Sequence, residues 1–135
     1  MVFLKAGGIN MILIWSDYLE YLNDIADRFN EVPCVYKIAI PNPNNQNLMV
    51  VYVGQTNNLK RRVGEHLNID IENNEELFNI ISSGNSFISV AIVRTQQERD
   101  GAEKSLYNHY SQLGELVNDP NHIPNVPLLN INFNN

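Results

Sequence analysis

The sequence predicts a small α/β (α+β) domain: a three-stranded antiparallel sheet flanked by helices, with an extra helix ahead of it. Three observations predict this class. Two β-rich runs, at 34–40 and 48–53, enclose a polar Pro- and Asn-rich segment at 41–47, the pattern of a hairpin with a long loop. A third β-rich run lies at 87–93. Around these runs, apolar residues recur at helical spacing. A length of 135 residues suits one domain with a single modest core. With 44% hydrophobic and 18% charged residues, the chain is neither disordered nor fibrous in composition.

Taken in order, residues 1–15 are apolar but interrupted by Gly7, Gly8 and Asn10. They fall far short of the ~20 apolar residues of a membrane span, so an extra strand or packed arm is expected and no membrane partner. Ser16 can cap a helix of about four turns, with Leu19, Leu22, Ile25, Ala26 and Phe29 on one stripe, ending near Asn30 before Pro33. The hairpin that follows carries Tyr36 and Tyr52 on neighbouring antiparallel strands. A helix over 58–67 buries Leu59, Val63 and Leu67, with Arg62 and His66 beside that stripe and Lys60, Arg61 and Glu65 outward. A loop rich in Asn and Glu leads to the third strand. Thr95 and Glu98 then form a capping box for a helix whose buried stripe is Ala102, Leu106, Tyr110 and Leu113, with Glu103 at its edge. The chain beyond Gly114 reads as a meander containing Asn118, and no internal repeat is visible.

Charge narrows the chemistry. The chain carries a formal net charge of −6, whereas proteins that grip nucleic acid nonspecifically are mostly basic. The field is nonetheless polarised, because Lys60, Arg61 and Arg62 cluster while Asp70, Glu72, Glu75 and Glu76 gather in the next loop. The single cysteine, Cys34, closes no intramolecular disulfide, which fits a reducing cytoplasm. The most informative stretch is 52–66, where an apolar strand ending in Tyr52 breaks at Gly54 into a helix carrying Arg62 and His66 four residues apart. A cation and an imidazole on one helix face suit an anionic, oxygen-rich substrate, with phosphodiesters the obvious candidate. Singly, each residue has a blander reading: strand tyrosines pack, Arg62 and Glu103 pair with neighbours on solvated helices, and His66 caps a helix end. His109 and His122 lack metal-ligand spacing with Cys34 and are read as structural.

In order, hairpin, helix, strand and helix, with Val35-Tyr36 on the first strand and Tyr52-Val53-Gly54 on the second, the chain resembles the GIY-YIG nuclease superfamily from about residue 33 to residue 118. The positions that match are Tyr36, Tyr52, Gly54, Asn58, Leu59, Arg62, His66, Glu103 and Asn118, leaving 1–32 as an arm and helix and 119–135 as an extension packed on the same domain. The resemblance implies an endonuclease that hydrolyses DNA, with RNA left open, using one divalent metal, Mg²⁺ or Mn²⁺. It implies Tyr36, Tyr52, Arg62, His66, Glu103 and Asn118 as catalytic residues and Glu103 as the metal ligand. Lys60, Arg61, Gln55 and Asn58 are expected along the nucleic acid. Chemistry supports the same roles: Arg62 offers a planar cationic fork, and Glu103 a hard oxygen for an ion that keeps most of its waters. Either Tyr36 or His66 can serve as the base; the ordinary pKa of histidine favours His66, and the resemblance favours Tyr36. The chain departs from the family at Cys34, where glycine is usual, and at Gln55, where some members carry lysine. Asn125 and Asn130 compete with Asn118 for the family asparagine. An inactive GIY-YIG-like module that binds nucleic acid or protein is the alternative, and a domain this small calls for oligomerisation or a protein partner to select targets.

Overall fold

The structure, a computed structural model, describes residues 10–133. Its centre is the hairpin of β3 (Cys34–Pro41) and β4 (Leu48–Thr56), joined around a turn at 42–47. Val, Ile and Tyr fill both strands, as a sheet covered on two faces demands. The register sets Tyr36 opposite Gly54 and Ile38 opposite Tyr52, with a bulge between Ile38 and Ala39. On the other side of β3 runs β5 (Phe87–Ile92), also antiparallel. These are the three strands that the sequence predicts.

A fourth strand corrects that expectation. The short β2 (Leu19–Glu20) pairs with Ile88 and Phe87, giving one antiparallel sheet in the order β2-β5-β3-β4. The four-turn helix expected from Ser16 to Asn30 does not form: β2 is followed by a single 3₁₀ turn, Ile25–Arg28. Two local features defeat the helical period. Asn23 and Asp24 favour a turn, and the backbone of β5 offers an unpaired edge that residues 16–21 satisfy, through Ser16 N–H to Val90 O and Tyr21 N–H to Ser86 O at 2.8 Å each. Leu22, in the middle of the expected stripe, is largely exposed, whereas Tyr21, outside it, is buried. Of the arm expected over 1–15, residues 1–9 lie outside the described residues, and β1 (Asn10–Met11) pairs in parallel with β6 (Asn130–Ile131).

The helices lie on both faces of the sheet. Helix α1 (Leu59–Glu65) is capped by Asn58, whose side chain accepts the Arg61 N–H. It packs with the 3₁₀ turn over a core that includes Tyr36, Ile38, Leu59 and Val63. The expected Asn- and Glu-rich loop in fact holds α2 (Glu75–Ser82), capped by Asn74, because Leu77 and Ile81 stand four apart and bury together. Helix α3 (Gln96–Ser111) covers the opposite face with Val35, Val53, Ala102 and Leu106, and Leu113 is exposed because the helix has ended before it. Thr95 caps α3 by accepting the Glu98 N–H at 3.2 Å. Edge strand β4 is sealed from the far end of the chain: Val117 N–H reaches Val51 O at 2.7 Å, and Asn118 bonds both backbone groups of Val53. Among the described residues, no helix is long and apolar enough to cross a membrane.

The Tyr36–Gly54 pair sets a strict steric condition. A methyl group at position 54 would lie 2.5 Å from Cζ and Oη of Tyr36, a ring that is buried and cannot swing away. Gly54→Ala is therefore expected to destabilise the domain by about 1–3 kcal/mol, as overpacking does. Urea unfolding checks it, and an unchanged midpoint would show that Tyr36 has room to move.

Candidate active site

The edge strand β4 is the meeting place of the two helical faces, and a cleft of about 470 Å³ opens there. Tyr52, Arg62, Glu72, Glu103 and Asn118 all line it. These five come from five different segments: β4, α1, the loop after α1, α3 and the stretch beyond α3. Asn118 belongs to the cleft because its amide brackets Val53, accepting its N–H at 3.0 Å and donating to its C=O at 2.7 Å. Asn125 is exposed, and Asn130 sits in β6.

Beneath Tyr52 lie Tyr36 and His66, both buried. The Tyr36 hydroxyl and His66 Nε2 are 2.7 Å apart, and the three rings stand 5.7–6.2 Å from one another. Burial, with neighbouring Tyr52 next, raises the Tyr36 pKa well above its ordinary value, so its hydroxyl stays protonated at neutral pH. Burial also lowers the His66 pKa, although the hydrogen bond to Glu72 opposes the shift. A neutral imidazole facing a phenol O–H is the result. Tyr21 supports this layer from the other side, donating its hydroxyl to Val63 O at 2.7 Å.

Arg62 is held from three directions: Glu65 at 3.3 Å, Glu72 at 3.4 Å, and a hydrogen bond with Tyr52. Burial works against its charge, but Tyr36, Glu72 and Tyr52 together outweigh burial and raise its pKa. Glu72 was not singled out by the sequence as a site residue, yet one of its oxygens is bonded to His66 Nδ1. Its signal was faint: a carboxylate six residues past a histidine, inside an acidic run.

Glu103 is nearly buried, and its pKa is pushed up to about 7 by burial, partly offset by Gln55, whose amide donates to it at 3.1 Å, with Asp100 adding to the rise. The same amide reaches Asp100 at 2.6 Å, and Gln96 donates to Gln55 at 2.8 Å, so Gln55 serves this carboxylate cluster. Asn58 is spent on the α1 cap. Lys60 reaches Ala26 O at 2.7 Å, and Arg61 pairs with Glu65 and Asn57 at 3.0 and 3.1 Å. None of Gln55, Asn58, Lys60 and Arg61 lines the cleft.

The lining is acidic, with Glu72, Glu75, Glu76, Glu103 and Asp119 against Arg62. Among the described residues, no three His, Cys, Asp or Glu side chains converge as a metal cage. One carboxylate beside an open, water-accessible space is instead the donor set that Mg²⁺ takes, since it holds several waters and few protein ligands. The residues present therefore fit such an ion.

In metal-free protein, the Glu103 carboxyl is expected to titrate at about 7. Replacing Gln55 by Leu removes a donor that favours the carboxylate, so the midpoint should move higher still. Carbon-13 NMR of the glutamate side chains reads both, and a Glu103 midpoint near 4.5 in either protein would contradict the burial described here.

The GIY-YIG catalytic domain matches residues 33–116, from the start of β3 to just past α3, leaving Asn118 beyond its end. Comparison with curated proteins gives no match, and comparison with solved structures gives none either. The match spans more than half of the chain and the whole of the hairpin, α1 and α3 that build the cleft, so the chain belongs to the GIY-YIG family of nuclease domains.

Proposed function

We propose that this domain is a metal-dependent endonuclease that hydrolyses DNA phosphodiester bonds, acting in the cytoplasm, where its one cysteine stays reduced. The observation that carries the reading is convergence: Tyr52, Arg62 and Glu103, from three separate elements, face one cleft directly above the Tyr36–His66 pair. Such a site supplies the three needs of phosphodiester hydrolysis, namely charge on the nonbridging oxygens, an activated water and help for the leaving oxygen.

Arg62 presents its guanidinium to the nonbridging oxygens, and the carboxylates around it fix its direction before substrate arrives. Tyr36 and His66 act as one base. Because Tyr36 is protonated and His66 neutral, Tyr36 can take a proton from water only while passing its own proton to Nε2. The hydroxide so formed attacks phosphorus, and the ester oxygen on the opposite side departs, taking a proton from water in the open cleft while His66 later returns its own to solvent. Tyr52, bonded to Arg62, stands beside this pair at the wall of the cleft and orients the attacking water and the phosphate. Glu103 would hold Mg²⁺ or Mn²⁺, which supplies the positive charge that an acid-lined cleft otherwise lacks for a phosphate. Asn118 keeps β4 at its station under the cleft.

The acidic lining also favours a second reading, an inactive module that binds nucleic acid or a protein partner, because Lys60, Arg61 and Arg62 are all engaged by neighbours. Cleavage assays decide. With Mg²⁺ and a panel of DNA and RNA substrates, the purified protein should cut, while Arg62→Ala and Glu103→Ala should each lose at least ~100-fold in rate, the usual effect of removing one transition-state contact. Equal activity in all three proteins would mark a contaminant. Binding with a steep salt dependence but no turnover would favour the module.

A further inference from the structure

We propose that Glu72 is a positioning residue for this reaction, fixing His66 in the Nδ1–H tautomer so that Nε2 is free to take the Tyr36 proton; this rests on the nuclease reading above. Three groups surround the Glu72 carboxylate, which is almost wholly buried. One oxygen accepts the backbone N–H of Asn74 at 2.9 Å. The other faces Arg62 Nη2 at 3.4 Å and His66 Nδ1. A backbone amide and a guanidinium can only donate. A third group pointed at this carboxylate must donate as well, so the proton of neutral His66 sits on Nδ1. Nε2 then carries the lone pair, and the Tyr36 hydroxyl is obliged to donate to it across 2.7 Å.

Direction is the consequence. With Glu72 present, the chain runs from the Tyr36 O–H to Nε2 and from Nδ1–H to the carboxylate, and the proton shift of hydrolysis completes it as an imidazolium facing a carboxylate. With Glu72 absent, His66 is free to hold its proton on Nε2 and donate to Tyr36, a state that accepts nothing. Burial holds the Glu72 pKa up, but the His66 and Asn74 hydrogen bonds outweigh it and keep the group ionised. The substitution Glu72→Gln is frustrated by the same geometry, because either orientation of the new side chain points an amide NH₂ at a fixed donor. Turning that NH₂ toward His66 relieves part of the conflict only if His66 switches to the Nε2–H tautomer.

Long-range proton–nitrogen NMR on the uniformly labelled chain tests this, with His109 and His122 as internal references. Wild-type His66 should show a protonated Nδ1 and a bare Nε2. Glu72→Gln and Glu72→Ala should move it to the Nε2–H form or a mixture, and kcat should fall about 10- to 100-fold, the usual cost of losing a group that orients an imidazole. Glu65→Gln, which loosens Arg62 but removes no hydrogen bond to His66, should leave the tautomer in place. An Nε2–H tautomer in the wild type, or the Nδ1–H form in both Glu72 variants, overturns the proposal even if the protein cleaves DNA. A wild type that cleaves nothing overturns the nuclease reading, and with it the catalytic part assigned to Glu72, whatever the tautomer shows.

Discussion

The hydrogen bond between Tyr36 and His66 ties the central strand of the sheet to the end of α1, and the rest of the site is arranged around it. It requires a glycine at position 54, because any side chain there would occupy the space of the Tyr36 ring. It requires α1 to start just after Asn58, whose cap fixes the rotation that aims Arg62 at the cleft and His66 inward. Burying two polar rings together is tolerable only if each finds its partner. Here the phenol is satisfied by the imidazole, and the imidazole by Glu72.

Charge governs what the cleft attracts. The protein is acidic overall, and its cleft is acidic too, with a single arginine clamped between Glu65 and Glu72. Such a surface repels a polyanion at long range. It also favours a divalent cation, which on the reading proposed above would reverse the sign of the cleft for a phosphate. The cationic cluster at Lys60 and Arg61 does not relieve this, since both side chains are engaged by Ala26, Asn57 and Glu65.

Much of this was legible in the sequence where local chemistry and tertiary need agree. The hairpin announced itself by two β-branched runs around a polar turn, α1 by the Asn58 cap and the Leu59–Val63 spacing, and α3 by the Thr95–Glu98 box. Family membership and the α+β class follow from that order, whereas the fourth strand, β2, does not. The N-terminal helix misled because its 3.6-residue spacing was real, but the open edge of β5 offered residues 16–21 backbone partners that a helix would have forgone. Helix α2 hid in an acidic, Asn-rich segment whose apolar content is only Leu77, Phe78, Ile80 and Ile81. Glu72 was only faintly marked for a different reason: its place six residues past His66 does not by itself distinguish a carboxylate that folds back onto the imidazole from one that faces water.

The central claim is that Glu103, Arg62 and the Tyr36–His66 pair form one metal-dependent site. Its most direct measurement is anomalous X-ray scattering from crystals soaked in Mn²⁺. A manganese peak on the Glu103 carboxylate, inside the cleft that Arg62 and Tyr52 line, is the predicted result. An ion bound elsewhere on the protein, with Glu103 still holding only Gln55, would contradict it.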